Sequence, residues 1–165
     1  VDTISLVDDQ GELVSQVHDI LAIANEHDLV LGATRSSARD TLALFRAAKA
    51  GGVVRLVATN PTRRFDGEEI AELVSLGAYA EFTFLSHLSS GNAEEKIIAD
   101  VEAVGADHCI VSTDGGNWVY PPPAECMRMA IAAMLSGGLG AEAVKKVVKD
   151  NPLDLIGLGP GTIAP

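Results

Sequence analysis

Four short β-rich runs recur along the chain at nearly constant spacing, and this regularity constrains its fold more than any other feature. The runs are Leu29–Ala33, Val53–Thr59, Tyr79–Phe84 and His108–Thr113, and their starts lie 24, 26 and 29 residues apart. Between them the apolar residues switch to helical spacing. Such alternation marks βα units, whose strands can only pair in parallel because each crossover carries a helix.

The helices carry their own punctuation. Ser36 or Ser37 caps a helix with Leu42, Phe45 and Ala48 on one face, and Gly51 stops it. Gly77 stops the next, after Ile70, Leu73 and Val74. Asn92 with Glu95 reads as a capping box ahead of Ile97, Ile98, Val101 and Val104. After the fourth run, the Pro121–Pro123 stretch opens a helix that ends at Gly137, and a final helix runs from Ala141 to Lys149. Before the first run, Ile4–Val7 reads as a short fifth strand. A turn follows, then an amphipathic helix with Leu13, Val17, Ile20, Leu21 and Ala24 inside. No linker splits the chain, so residues 1–165 are expected to form one structural unit. Residues 1–28 make its strand, turn and helix, 29–158 the βα repeats, and 159–165 a tail.

Charge removes whole classes of function. With 12 Lys and Arg against 23 Asp and Glu, the formal charge is −11, and no basic face is available to neutralise nucleic-acid phosphates. No apolar run approaches the roughly 20 residues of a membrane span, and no signal peptide opens the chain. Cys109 and Cys126 are too few for a disulfide scaffold and lack metal-ligand spacing. A cytoplasmic protein acting on a small molecule is the expectation. The first residue, Val1, is read as a removed initiator or a start inside a longer product.

Two α/β architectures satisfy the pattern. One is a flavodoxin-like doubly wound sheet; the other is part of a (β/α)₈ barrel, which usually takes about 250 residues. In both, chemistry sits beyond the carboxyl ends of the strands. Those ends carry Thr34 and Arg35, Asn60, and Ser112-Thr113-Asp114-Gly115-Gly116-Asn117. A carboxylate leaving a buried strand and followed by two glycines stands where backbone and ligand can approach closely. Asp114 is therefore the leading candidate for a general base or metal ligand, with turn capping as its plain alternative. Trp118 and Tyr120 follow it and either wall a substrate pocket or pack under the proline turn. Arg35, Arg63 and Arg64 follow strand ends and suit a substrate carboxylate. His87 lies beyond the third run, as an exposed loop residue or a weak metal ligand; His108 begins the fourth run at the opposite end and reads as structural.

The stretch Ile110-Val-Ser-Thr-Asp-Gly-Gly-Asn117, then Pro122-Pro-Ala-Glu125 and Asn151-Pro-Leu-Asp-Leu-Ile-Gly-Leu158, resembles the closing segment of metal-dependent hydrolases of the amidohydrolase superfamily. Gly32-Ala33 and Thr59-Asn60-Pro61 stand where that family commonly has Gly-His and Thr-His-Pro. The resemblance runs from Leu6 to Leu158. It implies that this chain supplies the fifth to eighth strands of a TIM-like barrel, completed by another chain or segment. It further implies a hydrolase subunit in which a divalent metal, zinc or similar, assists water attack on an amide, ester or related bond. Asp114 would then serve as proton-transfer residue or ligand, Asn60 as a weak oxygen ligand or substrate contact, and Trp118, Tyr120 and Arg35 as substrate contacts. Glu81 would stand behind the ligands, since the family's counterpart is often acidic. The family's paired first-strand histidines and fourth-strand ligand have no counterpart here, and Ala33 cannot ligate. A barrel subunit that has lost its metal histidines and serves a structural or regulatory role is the alternative.

Overall fold

The computed structural model describes residues 6–8, 10, 12–89 and 91–159. It is α/β, with four strands in parallel pairings and helices between them. Two compact units divide the chain, Val1–Ala78 and Tyr79–Pro165.

In the first unit, helix α1 (Ser15–Glu26) buries Val17, Leu21 and Ala24, the stripe expected of an amphipathic helix. Strand β1 (Leu31–Ala33) pairs parallel with β2 (Leu56–Thr59), placing Leu31 beside Leu56 and Ala33 beside Ala58. Between them α2 (Ala38–Ala50) buries Leu42, Leu44, Phe45 and Ala48. Ser37, the second of the two candidate caps, accepts from the Asp40 N–H at 3.1 Å. After β2 a single 3₁₀ turn (Pro61–Arg63) leads to α3 (Gly67–Ser75). A capping box that sequence reading passed over opens α3: Asp66 accepts from Glu69 N, and Glu69 accepts from Asp66 N, both at 2.9 Å. Arg46 grips Glu72 with two guanidinium nitrogens, at 2.5 and 2.7 Å, and so ties α2 to α3.

In the second unit, β3 (Tyr79–Thr83) pairs parallel with β4 (Cys109–Ser112), with Thr83 beside Ser112. Phe84, expected in the strand, instead opens a short helix α4 (Phe84–Leu88), and α5 (Ala93–Val104) follows. Asn92 does not cap α5: its backbone is left-handed, at φ +51°, and its side chain makes no cap bond. His108 closes a 3₁₀ turn (Ala106–His108) just before β4 instead of beginning the strand. Helix α6 (Pro123–Ser136) buries Cys126, Ala130 and Met134 and ends at Gly137 as expected. The last helical stretch is not continuous. Helix α7 (Ala141–Lys145) passes into a π-helical turn (Lys146–Asp150) and then α8 (Asn151–Leu155). The irregularity sets Asn151 inward, where its amide donates to the carbonyls of Cys109 at 2.6 Å and Ala106 at 2.8 Å. Tyr79 adds a second tie, donating to Asp154 at 2.7 Å.

Of the expected strand Ile4–Val7, the first two residues lie outside the described residues, and Val7 forms an isolated antiparallel bridge with Leu13. Most of the expected tail, residues 160–165, also lies outside them. No helix among the described residues is long and apolar enough to cross a membrane.

Candidate functional site

Parallel pairing makes the strand carboxyl ends chemically special, because the loops that leave them open on the same side. The candidate residues fall into two sets, one in each unit. Arg35 follows β1 and Asn60 follows β2; Asp114, Trp118 and Tyr120 follow β4.

Three of these residues share a backbone feature. Arg35 (φ +59°), Asn60 (φ +50°) and Asp114 (φ +54°) are all in the left-handed region. Asn and Asp enter that region more readily than most side chains, whereas Arg bears a penalty on the order of 1 kcal/mol. Sparse backbone conformations of this kind concentrate where a chain must present atoms to a ligand.

Asp114 is exposed, two residues beyond β4. Thr113 fixes the turn behind it, its hydroxyl accepting from Gly115 N at 3.1 Å. A side chain at Gly115 would crowd Pro123, so glycine there lets the loop fold against the start of α6. Trp118 is 91% exposed and Tyr120 37%. The Trp118 ring therefore stands open to a ligand, while Tyr120 is largely covered and offers only part of its ring. Glu81 lies within β3, half-buried.

His87 is neither an exposed loop residue nor an open ligand. It sits in α4 at 2% exposure, with Nδ1 2.8 Å from the Thr83 carbonyl and Nε2 2.6 Å from Asp100 Oδ2. A metal ion at His87 would have to displace one of these partners. The nearby hydroxyl of Ser86 does not complete a nucleophile–base pair. It donates to the Thr83 carbonyl at 2.8 Å and lies 3.5 Å from a ring nitrogen already engaged there. Asp100 escaped sequence reading although a signal existed: it sits three residues after buried Ile97 and one before buried Val101, on the inner side of α5. Burial, assisted by the negative charge of Asp100, pushes the Cys109 thiol up to about 12, away from the thiolate form that a nucleophile needs.

The divalent ion that the resemblance implies needs about three protein ligands. Among the described residues no three His, Cys, Asp or Glu side chains come together as a ligand group, so these residues do not hold a metal by themselves. An open depression of about 300 Å³ lies between the start of α1 and the middle of α2, but its cation, Arg46, is already committed to Glu72.

Residues 1–81 match the model of a family of unknown function, DUF6282. No curated protein and no solved structure matches the chain.

Proposed function

We propose that the chain is the carboxyl-terminal half of a TIM-like barrel and works as a hydrolase subunit of the amidohydrolase type on a small molecule. Asp114 takes a proton from the attacking water, while Trp118 and Tyr120 hold the apolar part of the substrate. The observation that carries this reading is the setting of Asp114. It is an exposed carboxylate in left-handed backbone at the carboxyl end of a buried parallel strand, in one loop with an open and a partly exposed aromatic ring. Completion by another chain is supported by β1, which among the described residues pairs with β2 alone and has an exposed glycine, Gly32, at its centre. Any ion would need ligands from that other chain.

A second reading, a non-catalytic barrel subunit, is favoured by Ala33, whose buried methyl stands at the strand end where the resembled family ligates. One pair of measurements separates the two. Native mass spectrometry of the purified protein is expected to show a second polypeptide bound, and a stable folded monomer overturns the half-barrel. A panel of chromogenic esters, amides and lactones is then assayed on that assembly. Turnover that falls by about 100-fold or more in Asp114→Asn supports the hydrolase; turnover unchanged in that variant removes Asp114 from the chemistry, and none on any substrate favours the non-catalytic reading.

A further inference from the structure

We propose that the carboxyl end of the β1–β2 pair is a binding site for a small ligand bearing a carboxylate or phosphate group, held by Arg35, Arg39 and Arg64. The inference goes beyond the hydrolase reading and does not depend on it, since it rests on the Val1–Ala78 unit alone.

Charge is the starting point. In a chain with 23 acidic and 12 basic residues, a guanidinium group has carboxylates in excess to pair with. Arg46, Arg55 and Arg128 do pair, with Glu72, Asp28 and Glu125. Arg35, Arg39 and Arg64 have no carboxylate within ion-pair distance among the described residues. All three are exposed. Lys49 and Lys149 likewise form no ion pair among the described residues, but they belong to different units, whereas the three arginines follow two neighbouring strand ends.

Arg35 is the second residue after β1, and Arg39 is the second residue of α2, the helix that leaves β1. Arg64 directly follows the 3₁₀ turn after β2, and its Nη2 donates to the carbonyl of Thr59, the last residue of that strand, at 3.4 Å. With Ala33 beside Ala58, the two strand ends lie side by side at the ~4.8 Å spacing of a sheet, so the segments that carry the three arginines leave the same edge.

The backbone points the same way. Left-handed φ at Arg35 is a backbone setting that turns successive N–H groups toward an anion; at the second strand end Pro61 has no N–H, so there the arginine side chain carries the site. The 13-residue α2 starts here as well, with its positive dipole end beside Arg35 and Arg39. The nearby acids keep their charge but are turned to other partners or lie on another helix: Asp66 and Glu69 bind each other's backbone N–H groups at the start of α3, and Asp40 is the one carboxylate in the first turn of α2. Guanidinium groups engage carboxylate and phosphate oxygens in forked pairs, which makes these two groups the ligand chemistry.

The test is calorimetric titration of the full chain with inorganic phosphate and, separately, with succinate at low salt. Saturable binding of at least one probe is expected, weakened about tenfold or more in Arg35→Gln and in the Arg39→Gln/Arg64→Gln double variant. Arg128→Gln on α6 should bind as the parent does. Phosphate binding the tighter assigns a phosphoryl group, and succinate the tighter assigns a carboxylate. Absence of saturable binding with either probe overturns the site, as does binding equal in parent and arginine variants whose circular dichroism is unchanged. Because the readout is binding, its failure leaves the Asp114 assay unaffected.

Discussion

In the Val1–Ala78 unit the strand-end loops carry exposed arginines, Arg35, Arg39 and Arg64, that form no ion pair with a carboxylate among the described residues, and β1 is only partly buried. In the Tyr79–Pro165 unit the residues after β3 turn inward, β4 is buried along three of its four residues, and the polar groups satisfy one another. His87 is bound to Thr83 and Asp100, Asn151 to two carbonyls, and Tyr79 to Asp154. The same βα logic thus serves two ends. One unit invests its polar residues in fixing its own interior, which makes them costly to remove; the other leaves them in solvent, where they are cheap to change and free to bind. Substitutions of the polar residues after the strands should therefore hurt stability in the second unit and leave it nearly untouched in the first.

The largest expected effect is in β3. Phe82 is fully buried, and its ring stands edge-on to His87 with 6.4 Å between centroids. Phe82→Ala should cost about 3–5 kcal/mol in urea unfolding, from lost burial plus the cavity left behind. A cost below about 1 kcal/mol would show that the site collapses freely and that the second unit is not the tightly specified one.

Next comes the His87–Asp100 pair. Removing one member of a buried pair leaves the other without its partner, so Asp100→Ala should cost about 2–3 kcal/mol, at the low end because Asp100 is partly exposed. Arg39→Ala in the first unit should leave the unfolding midpoint unchanged. Equal shifts for the two variants would erase the proposed contrast.

How far this contrast was visible in the sequence follows from how local each feature is. Periodicity located the strands and helices, and Ser37, Gly51 and Gly137 did mark helix ends, because those signals lie within a few residues of what they specify. Strand ends were overrun where apolar residues continue past the ladder. Leu29 closes α1 by bonding to Ala24, and Phe84 begins a helix. Arg35, Asn60 and Asp114 were legible as strand-end residues, but their shared left-handed backbone was not, since neither Arg35 nor Asp114 is a glycine that would announce it. The ties of His87 to Asp100 and Asn151 to Cys109 bridge 13 and 42 residues, and no local period encodes such distances.

Alkaline pH should probe the second unit selectively. Burial and the Asp100 charge push Cys109 up to about 12 from an ordinary value near 9, and burial with the Asp154 hydrogen bond raises Tyr79 as well. A group with a raised folded-state pKa favours the fold below its unfolded pKa and loses that advantage as pH climbs toward the folded value. Stability should therefore be flat up to about pH 9 and then fall by up to about 1.4 kcal/mol per unit as the unfolded thiol ionises. Cys109→Ala should remove the onset near pH 9. An unchanged onset in that variant would assign it to other groups.

The smallest effect compares one helix start from each unit. At α3 the Asp66 carboxylate accepts the Glu69 N–H and Glu69 returns the bond, so two N-terminal donors are satisfied together. At α5 Asn92 has the same spacing to Glu95, but its φ of +51° turns the side chain away from the helix N–H groups. It reaches only the Glu95 side chain, at 3.4 Å. Asp66→Ala should therefore cost about 1 kcal/mol. Asn92→Gly should be neutral or stabilising by a few tenths, because glycine takes the left-handed backbone without strain and no cap bond is lost. If Asn92→Gly costs as much as Asp66→Ala, then Asn92 caps α5 in solution and the local signal in the sequence was right after all; if Asp66→Ala is silent, solvent replaces the box and the first unit tolerates polar loss even at its best-formed helix start.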